Sequence, residues 1–202
     1  MIVIIDYGMG NLRSVQNGFA QAGFATVVSA DPRDLVQADG LVLPGVGAFG
    51  QARESLQAEG LDKAIYEQVA KGVPLLGICL GHQLLFDSSA EMGEHRGLGL
   101  IPGEVVPFTG EVKVPQVGWN QLSIKRKHPL LNGIKDGDYF YFVHSYYVRP
   151  KDPAVNLATA DYGSEFSAVV QKDNVFGIQF HPEKSSRLGL LILKNFGELV
   201  EC

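Results

Sequence analysis

A cysteine between two glycines is the residue of this chain best placed for covalent chemistry. An apolar run leads into Gly77-Ile78-Cys79-Leu80-Gly81, and a stretch of helical character follows. This strand–turn–helix order is the nucleophile-elbow pattern, with cysteine where many hydrolases carry serine. A cysteine there lies near a helix N-terminus, whose partial positive charge favours the thiolate. The pattern predicts a nucleophilic Cys79 and an oxyanion donor in the N–H of Leu80.

A nucleophilic thiol needs a base and a group that orients the base, and one histidine comes with such a group. His181 follows an apolar strand-like run, precedes Pro182 and has Glu183 two residues on. A carboxylate in that place can orient the imidazole and stabilise its cation, as the third member of a triad does. A lone cysteine is more often a buried structural residue. The flanking glycines and the His-Pro-Glu segment favour a catalytic set of Cys79, His181 and Glu183.

A second glycine-rich segment, Gly45-Val46-Gly47-Ala48-Phe49-Gly50, admits two interpretations. It matches the G-x-G-x-x-G fingerprint of dinucleotide-binding loops, placed after a strand and before a helix. That fingerprint needs an acid at the end of a second strand about 20 residues on, whereas Glu67 falls in a helical stretch. We therefore favour a flexible strip, Val46 and Gly47, that lines the cysteine's pocket and turns an N–H towards developing negative charge.

The order of elements predicts how these residues are positioned. The first 90 residues alternate strands and helices, which is typical of a parallel sheet with helices on both faces. The predicted strands are 2–5, 25–29, 40–43 and 74–78, and the predicted helices include 48–58 and 61–71. β-forming residues dominate later, with a strand over 139–148, a hairpin around Lys172–Asn174 and a closing helix. We expect an α/β fold with a mostly parallel central sheet flanked by helices and an antiparallel portion in the second half.

Composition and charge narrow the class of protein. The 202 residues, 46% of them apolar and 19% charged, suit one globular domain over 1–202. A net charge of −5 argues against a broad nucleic-acid or anionic-membrane surface, and no apolar run reaches the roughly 18 residues of a membrane span. Cys79 and Cys202 form no metal-ligand pattern, and no secretory leader is evident. We expect a reduced, cytoplasmic protein without metal or cofactor.

Taken together, the motifs resemble those of the class I (triad) glutamine amidotransferases over essentially the whole chain. The residues that carry this likeness are Gly77-Ile78-Cys79-Leu80-Gly81-His82-Gln83 and His181-Pro182-Glu183. A likeness to one branch, the glutaminase subunits of imidazole glycerol phosphate synthase in histidine biosynthesis, is carried by 6–15, 43–50, 118–120 and 181–185. Departures from that branch are His82, where Met is frequent, and Gln116-Val117, where a His-Met pair is frequent.

The resemblance implies a glutaminase mechanism. Cys79 would attack the side-chain amide carbon of L-glutamine, His181 would move the proton, and Glu183 would hold His181. The oxyanion would be bound by the N–H groups of Leu80 and of the strip formed by Val46 and Gly47. The residues that would hold the glutamine head group are Gln83, Glu91, Ser145 and Tyr146.

The resemblance also implies a heterodimer with a cyclase subunit, a (β/α)₈ barrel that receives the ammonia through a channel. The residues expected at that interface are Asn11, Trp119, Tyr141 and Lys184. The cyclase would use the ammonia to form imidazole glycerol phosphate and an aminoimidazole carboxamide ribotide. Because Gly45 and Gly47 ease a peptide flip between Val46 and Gly47, we expect partner and ligand to raise kcat more than they lower KM.

Two other functions remain open at this level. One is the glutaminase subunit of anthranilate or aminodeoxychorismate synthase, against which Lys184-Ser185 argues. The other is a non-catalytic regulatory subunit of the same fold, against which the complete set of Cys79, His181 and Glu183 argues.

Overall fold

The buried apolar runs near the start of the chain form the centre of a large β-sheet in the computed structural model, which describes residues 1–201. Cys202 lies outside the described residues. The strands are β1 (Ile2–Ile5), β2 (Thr26–Ser29), β3 (Gly40–Leu43), β4 (Leu75–Ile78), β5 (Phe86–Ser89), β6 (His95–Arg96), β7 (Ile101–Pro107), β8 (Gln116–Gln121), β9 (Ser123–Ile124), β10 (Tyr139–His144), β11 (Tyr146–Pro150), β12 (Asn156–Asp161), β13 (Glu165–Lys172) and β14 (Val175–Ile178). The helices are α1 (Leu12–Gln21), α2 (Pro32–Val36), α3 (Phe49–Ala58), α4 (Leu61–Ala70), α5 (Leu80–Leu84) and α6 (Ser186–Glu201), with short 3₁₀ turns at Pro129–Leu131, Pro153–Val155 and Pro182–Lys184.

Eight of the strands form one sheet in the order β2-β1-β3-β4-β14-β13-β12-β9. The first five are parallel, and β13, β12 and β9 continue the sheet as antiparallel neighbours. Every residue of β1, β3 and β4 is buried, as parallel strands covered on both faces must be. The predicted α/β fold, with a mostly parallel central sheet and an antiparallel portion in the second half, is confirmed.

Alternate side chains of the central strands enter two hydrophobic clusters, one on each face of the sheet. On one face, Ile4 belongs to the cluster that holds Phe19 of α1 and Phe196 of α6. On the other face, Val3 belongs to the cluster that holds Ile65 of α4. Because helices cover both faces, polar groups of this sheet can meet a ligand only where the strands end.

The strand predicted over 139–148 is in fact two strands that belong to different sheets. Tyr139 of β10 pairs with Gln121 in a two-stranded sheet with β8, whereas Tyr146 of β11 pairs with Pro107 in the four-stranded sheet β11-β7-β5-β6. Strand propensity is high throughout this run, and it carries no information about a change of partner. The break at Ser145 places that residue at the corner where the two smaller sheets meet.

The predicted hairpin around Lys172–Asn174 is confirmed. Lys172 of β13 pairs with Val175 of β14, so Asp173 and Asn174 form a two-residue turn. Asp173 has a φ of 52°, the left-handed conformation that tight hairpin turns favour. The helical stretches predicted at 48–58 and 61–71 are α3 and α4, each within one residue at either end.

Candidate active site

The turn that carries Cys79 lies where β4 ends and α5 begins. Cys79 is buried and has a φ of 54°, a left-handed conformation that a non-glycine residue seldom adopts. The glycines on either side of it permit this turn sterically. A Cβ atom on Gly81 would lie 1.7 Å from the carbonyl oxygen of Leu43, and one on Gly77 would lie 2.6 Å from that of Gly81. The predicted nucleophile elbow is thus present, and backbone atoms enforce it.

The parallel pairing of β4 with β14 brings the two catalytic motifs together. Ile78 lies opposite Ile178 in this pairing, so the residues that follow them, Cys79 and Gln179, leave the sheet side by side. The N–H of Cys79 donates to the carbonyl of Ile178 at 2.8 Å. The chain bends at Gln179 and Phe180 and then reaches His181, which lines the same pocket as Cys79.

His181 and Glu183 form the predicted buried pair. His181 Nδ1 lies 2.9 Å from Glu183 Oε1, and the two side chains are only 5% and 2% exposed. His181 and Cys79 line the same pocket. Burial by itself lowers the pKa of His181, but the hydrogen bonds and negative charges of Cys79 and Glu183 raise that pKa to about 10. At neutral pH this environment therefore stabilises an imidazolium between two acceptors.

A pocket of about 340 Å³ opens above Cys79. Its lining includes Cys79 and His181, every residue predicted for the oxyanion site and for the glutamine head group, and one residue predicted for the interface. These residues are Val46, Gly47, Cys79, Leu80, Gln83, Glu91, Ser145, Tyr146, His181 and Lys184, together with Pro115, Val143 and His144. Within residues 1–201, no group of three or more His, Cys, Asp or Glu side chains is arranged to hold a metal ion.

The segment expected to complete the oxyanion site faces the start of α5. The N–H of Leu80 donates to the carbonyl oxygen of Gly45 in a long hydrogen bond of 3.4 Å. Gly47 has a φ of 100°, and Val46 is 43% exposed. Behind this segment, the buried hydroxyl of Tyr7 donates to the carbonyl of Pro44 at 2.7 Å. In this conformation a carbonyl, rather than a ligand, accepts from the N–H of Leu80.

Hydrogen bonds hold two of the predicted head-group residues in place. Gln83 Nε2 donates to the carbonyl of Tyr146 at 2.9 Å, which ties α5 to the corner next to Ser145. Glu91 Oε2 accepts from the N–H of Phe49 at 2.8 Å, at the first residue of α3. A carboxylate at a helix N-terminus is favoured by the partial positive charge there. Glu91 therefore presents fixed negative charge to the pocket, with its Oε1 not used in that bond.

The predicted interface residues lie in three places. Trp119 of β8 and Tyr141 of β10 lie directly opposite each other, with ring centroids 5.9 Å apart. Trp119 is 53% exposed, and Val117 on the same face of β8 is 59% exposed. Lys184 is exposed at the rim of the catalytic pocket.

Asn11 is exposed just before α1 and lines a small cavity beside the catalytic pair. Tyr141 also bonds to the catalytic turn: its carbonyl accepts from the N–H of His181 at 2.9 Å, and its N–H donates to Ser185 Oγ at 3.0 Å. The sheet that carries Trp119 is thus hydrogen-bonded to the segment that carries the base.

Two buried polar residues of the site were not predicted from the sequence. Gln179 lies beside Cys79, and His144 lines the pocket with its Nδ1 2.8 Å from the carbonyl of Tyr146 and its Nε2 2.9 Å from the side-chain amide of Gln116. Burial lowers the pKa of His144 to about 4. Gln179 is the first residue after β14 and Cys79 is the first residue after β4, and this pairing of two strand ends is not visible in the sequence. His144 likewise gave no signal within its aromatic strand.

Comparisons with known proteins agree with this geometry. A family model described as glutamine amidotransferase class-I matches residues 3–199. The imidazole glycerol phosphate synthase subunit HisH of Syntrophotalea carbinolica is 55% identical, and the match covers 98% of this chain and 100% of that protein. The subunit of the same name from Moorella thermoacetica is 54% identical over 98% of this chain and 95% of its own.

Solved structures agree in fold. A structure described as a glutamine amidotransferase superposes with a TM-score of 0.78 at 19% identity, over all of both chains. PurLQS from Thermotoga maritima gives a TM-score of 0.75 at 21% identity, over 99% of this chain and 96% of that one. The fold, the motif-bearing turns and the sequence relatives lead to one assignment. This chain belongs to the class I glutamine amidotransferases and, within them, to the HisH subunits of imidazole glycerol phosphate synthase.

Proposed function

We propose that this chain hydrolyses L-glutamine to glutamate and ammonia, with Cys79 as the nucleophile and His181 and Glu183 as its partners. The observation that carries the proposal is the strained, buried Cys79 that shares a pocket with a histidine held by a buried carboxylate at 2.9 Å. An unactivated amide is a poor electrophile, and a covalent intermediate divides its hydrolysis into two easier steps.

In the first half-reaction, the sulfur of Cys79, whose proton has passed to His181, bonds to the side-chain amide carbon of glutamine. The carbonyl electrons move to oxygen and form a tetrahedral oxyanion. When the carbonyl reforms, the C–N bond breaks and His181 Nε2 returns its proton to the leaving nitrogen, which departs as ammonia. Water then adds to the thioester as His181 takes a proton from it, and the C–S bond breaks to give glutamate and the Cys79 thiolate beside protonated His181.

Glutamine would lie in the pocket with its head group towards Gln83, Glu91, Ser145 and Tyr146. The α-ammonium of the substrate suits Glu91, whose Oε1 is not used by the bond to the α3 N-terminus. Gln83 is held by the carbonyl of Tyr146, so substrate binding would not have to order it first. This placement puts the amide end of the substrate beside Cys79.

The oxyanion would be bound by the N–H of Leu80 and by an N–H from the strip formed by Val46 and Gly47. The long bond from Leu80 to the carbonyl of Gly45 supports a site that is incomplete in the chain alone. A flip of the peptide between Val46 and Gly47 would supply the second donor. One such donor is typically worth about 2.7–4 kcal/mol of transition-state stabilisation, so its absence would leave the free chain slow.

The partner would be a (β/α)₈ cyclase subunit that receives the ammonia and forms a heterodimer with this chain, which acts as a single domain over 1–202. The exposed Trp119, packed against the half-buried Tyr141, is the kind of anchor that dominates protein interfaces. Its hydrogen bonds to the His181 turn give partner binding a route to the catalytic pair. Asn11 and Lys184 would lie on the same side. A free thiol nucleophile suits a reducing compartment, so we place the reaction in the cytoplasm.

Glutamate release by the purified chain tests the proposal. We would measure it for the chain alone, then with the barrel cyclase and its ribotide ligand, and with Cys79→Ala as the control. We expect slow release alone, strong activation in the complex, with kcat changing more than KM, and no release by the variant. An equal rate of glutamate release with and without the cyclase would support the glutaminase function and exclude this partner. Undiminished release by Cys79→Ala would exclude the mechanism.

A further inference from the structure

Gln179 is the one fully buried glutamine whose side chain reaches the sulfur of Cys79. It is 0% exposed, and its Nε2 lies 3.8 Å from Cys79 Sγ, a distance at which an amide N–H can donate to sulfur. Gln179 follows β14 as Cys79 follows β4, so the register of two central strands fixes the contact. Its backbone is also held, because its N–H donates to the carbonyl of Ala168 at 2.9 Å. The catalytic steps described above do not use this side chain.

The orientation of the Gln179 amide follows from its neighbours. The carbonyl of Tyr146 can only accept, so the Gln83 atom 2.9 Å from it must be the amide nitrogen. That nitrogen also lies 3.2 Å from the amide of Gln179, which must therefore present its oxygen to Gln83. The remaining atom of the Gln179 amide, the one facing Cys79, is then the NH₂ group. The carbonyl of Tyr146 thus determines, through Gln83, which end of the Gln179 amide faces Cys79.

The two groups beside Cys79 Sγ, other than His181, favour opposite protonation states of the sulfur. The carbonyl of Val143, 3.8 Å away, can only accept, so it favours the neutral thiol. The amide NH₂ of Gln179 can only donate, so it favours the thiolate. A hydrogen bond to an ionised acceptor is about twice as strong as one between neutral groups. Once the proton has moved to His181, the hydrogen bond from Gln179 is therefore the stronger of these two contacts, and it favours the thiolate.

We propose that Gln179 is a catalytic residue that donates a side-chain hydrogen bond to the Cys79 thiolate, with Gln83 as the positioning residue that fixes its orientation. This inference rests on the proposed function, in which Cys79 is the nucleophile. The bond stabilises the attacking thiolate before glutamine arrives and the thiolate that leaves when the thioester is hydrolysed. Gln179 also connects Gln83, which would contact the substrate head group, to the sulfur of Cys79.

Alkylation of Cys79 by iodoacetamide as a function of pH tests this in the full chain, without glutamine or a partner. Cys202→Ser removes the other cysteine from every sample. Gln179→Met deletes the donor at similar volume, and Gln68→Met is the matched control, a buried glutamine of α4 that is 2% exposed. We expect Gln179→Met to move the midpoint of the profile up by about one pH unit, so that alkylation slows about tenfold at pH values below the parent midpoint. Gln68→Met should reproduce the parent profile.

Gln179→Glu distinguishes a hydrogen bond donated to the sulfur of Cys79 from a role of residue 179 in holding Gln83 alone. Glutamate keeps an oxygen for the amide of Gln83 but places an acceptor, rather than a donor, beside the sulfur. We expect a shift at least as large as that of Gln179→Met. A parent-like profile for Gln179→Glu, or for Gln179→Met, would overturn the proposal. Because alkylation does not require hydrolysis of glutamine, such a result would leave the proposed glutaminase function standing.

A measurement on the unsubstituted side chain covers the case in which the variants do not fold. The ¹⁵N-labelled side-chain amide of Gln179 should change its chemical shift with pH at the same midpoint as Cys79 alkylation. It should lose that response once Cys79 is alkylated. An amide signal that ignores both the pH and the alkylation of Cys79 would overturn the proposal.

Discussion

The turn at Cys79 and the segment Gly45–Gly47 lie side by side at the pocket, and both are rich in glycine for different reasons. At the turn, a Cβ on Gly81 would collide with a backbone carbonyl at 1.7 Å, so glycine permits one tightly packed geometry. At Gly47 the nearest obstacle is the end of the flexible Met9 side chain, and the φ of 100° is what requires glycine. The first region holds a nucleophile rigidly, and the second can change conformation.

This difference suggests how catalysis and control are divided within the site. The nucleophile and its base are built into the central sheet, whose register joins Cys79 to the strand that leads to His181. The oxyanion donors depend on a segment held by longer contacts, such as the 3.4 Å bond from Leu80. Activation by a partner would then act on the segment and leave the turn unchanged.

Glu183→Gln should have the largest effect, because it alters the rigid region without loosening the turn. In a serine-protease triad, the equivalent carboxylate-to-amide change lowers kcat by about 10⁴, and we expect a loss of about 10³ here since thiols are intrinsically stronger nucleophiles. Removing the carboxylate charge also lowers the pKa of His181 from about 10 towards its ordinary value of 6.5. Protonated His181 must deliver a proton to the leaving ammonia, so activity should be lost at a lower pH on the alkaline side. A pH profile of kcat measures both effects, and an unchanged alkaline limb would contradict them.

Gly81→Ala should destabilise the whole fold, because the new methyl group meets the backbone of β3 rather than a movable side chain. Overpacking of this kind costs about 3 kcal/mol of unfolding free energy or more. Denaturant unfolding measures the loss. The control is Gly72→Ala, where φ is 89° and no atom lies within 4 Å of the new Cβ. The control should lose only about 1–2 kcal/mol. Equal losses in the two variants would show that the turn is less tightly enforced than we infer.

His82→Met should stabilise the chain at acid pH. His82 in α5 is fully buried, and burial, aided by the charge of His144, lowers its pKa to about 3. Because the unfolded chain binds this proton near pH 6.5 and the folded chain does not, stability is lost as the pH falls between these values. Methionine removes this linkage. The effect of the substitution on the unfolding free energy should therefore be about 2 kcal/mol more stabilising at pH 5 than at pH 7. The same difference at both pH values would contradict the account.

Gly47→Ala should have the smallest effect on stability and a selective effect on activation. Alanine disfavours the positive φ at this position by about 1 kcal/mol, and the contact with Met9 can relax. In the proposed activation, this shifts the balance between the two conformations of the segment. We expect the ratio of kcat in the complex to kcat alone to shrink about fivefold, the equivalent of about 1 kcal/mol. An unchanged ratio in the variant would show that activation does not depend on the peptide between Val46 and Gly47.

The sequence predicted the rigid region better than the adjustable one. Short apolar runs and helix periodicity fixed β1, β3, α3 and α4 to within a residue, because local patterns determine parallel βα units. Glycines at 77 and 81 identified the turn for the same reason. The break at Ser145 was missed because it depends on which distant strands pair with β10 and β11. Gln179 was missed because its partner, Cys79, is supplied by the register of β4 and β14.

The rate of Cys79 alkylation, measured side by side with kcat for glutamine hydrolysis, tests most directly whether the nucleophile is preformed and the oxyanion site is not. Both would be measured for the chain alone and for the complex with the cyclase and its ribotide ligand, at the same pH. The division between rigid turn and adjustable segment predicts alkylation rates within about twofold of each other, while kcat rises by about 100-fold or more, as one recovered oxyanion donor would give. An alkylation rate that rises in parallel with kcat would contradict it, because the partner would then be assembling the nucleophile itself.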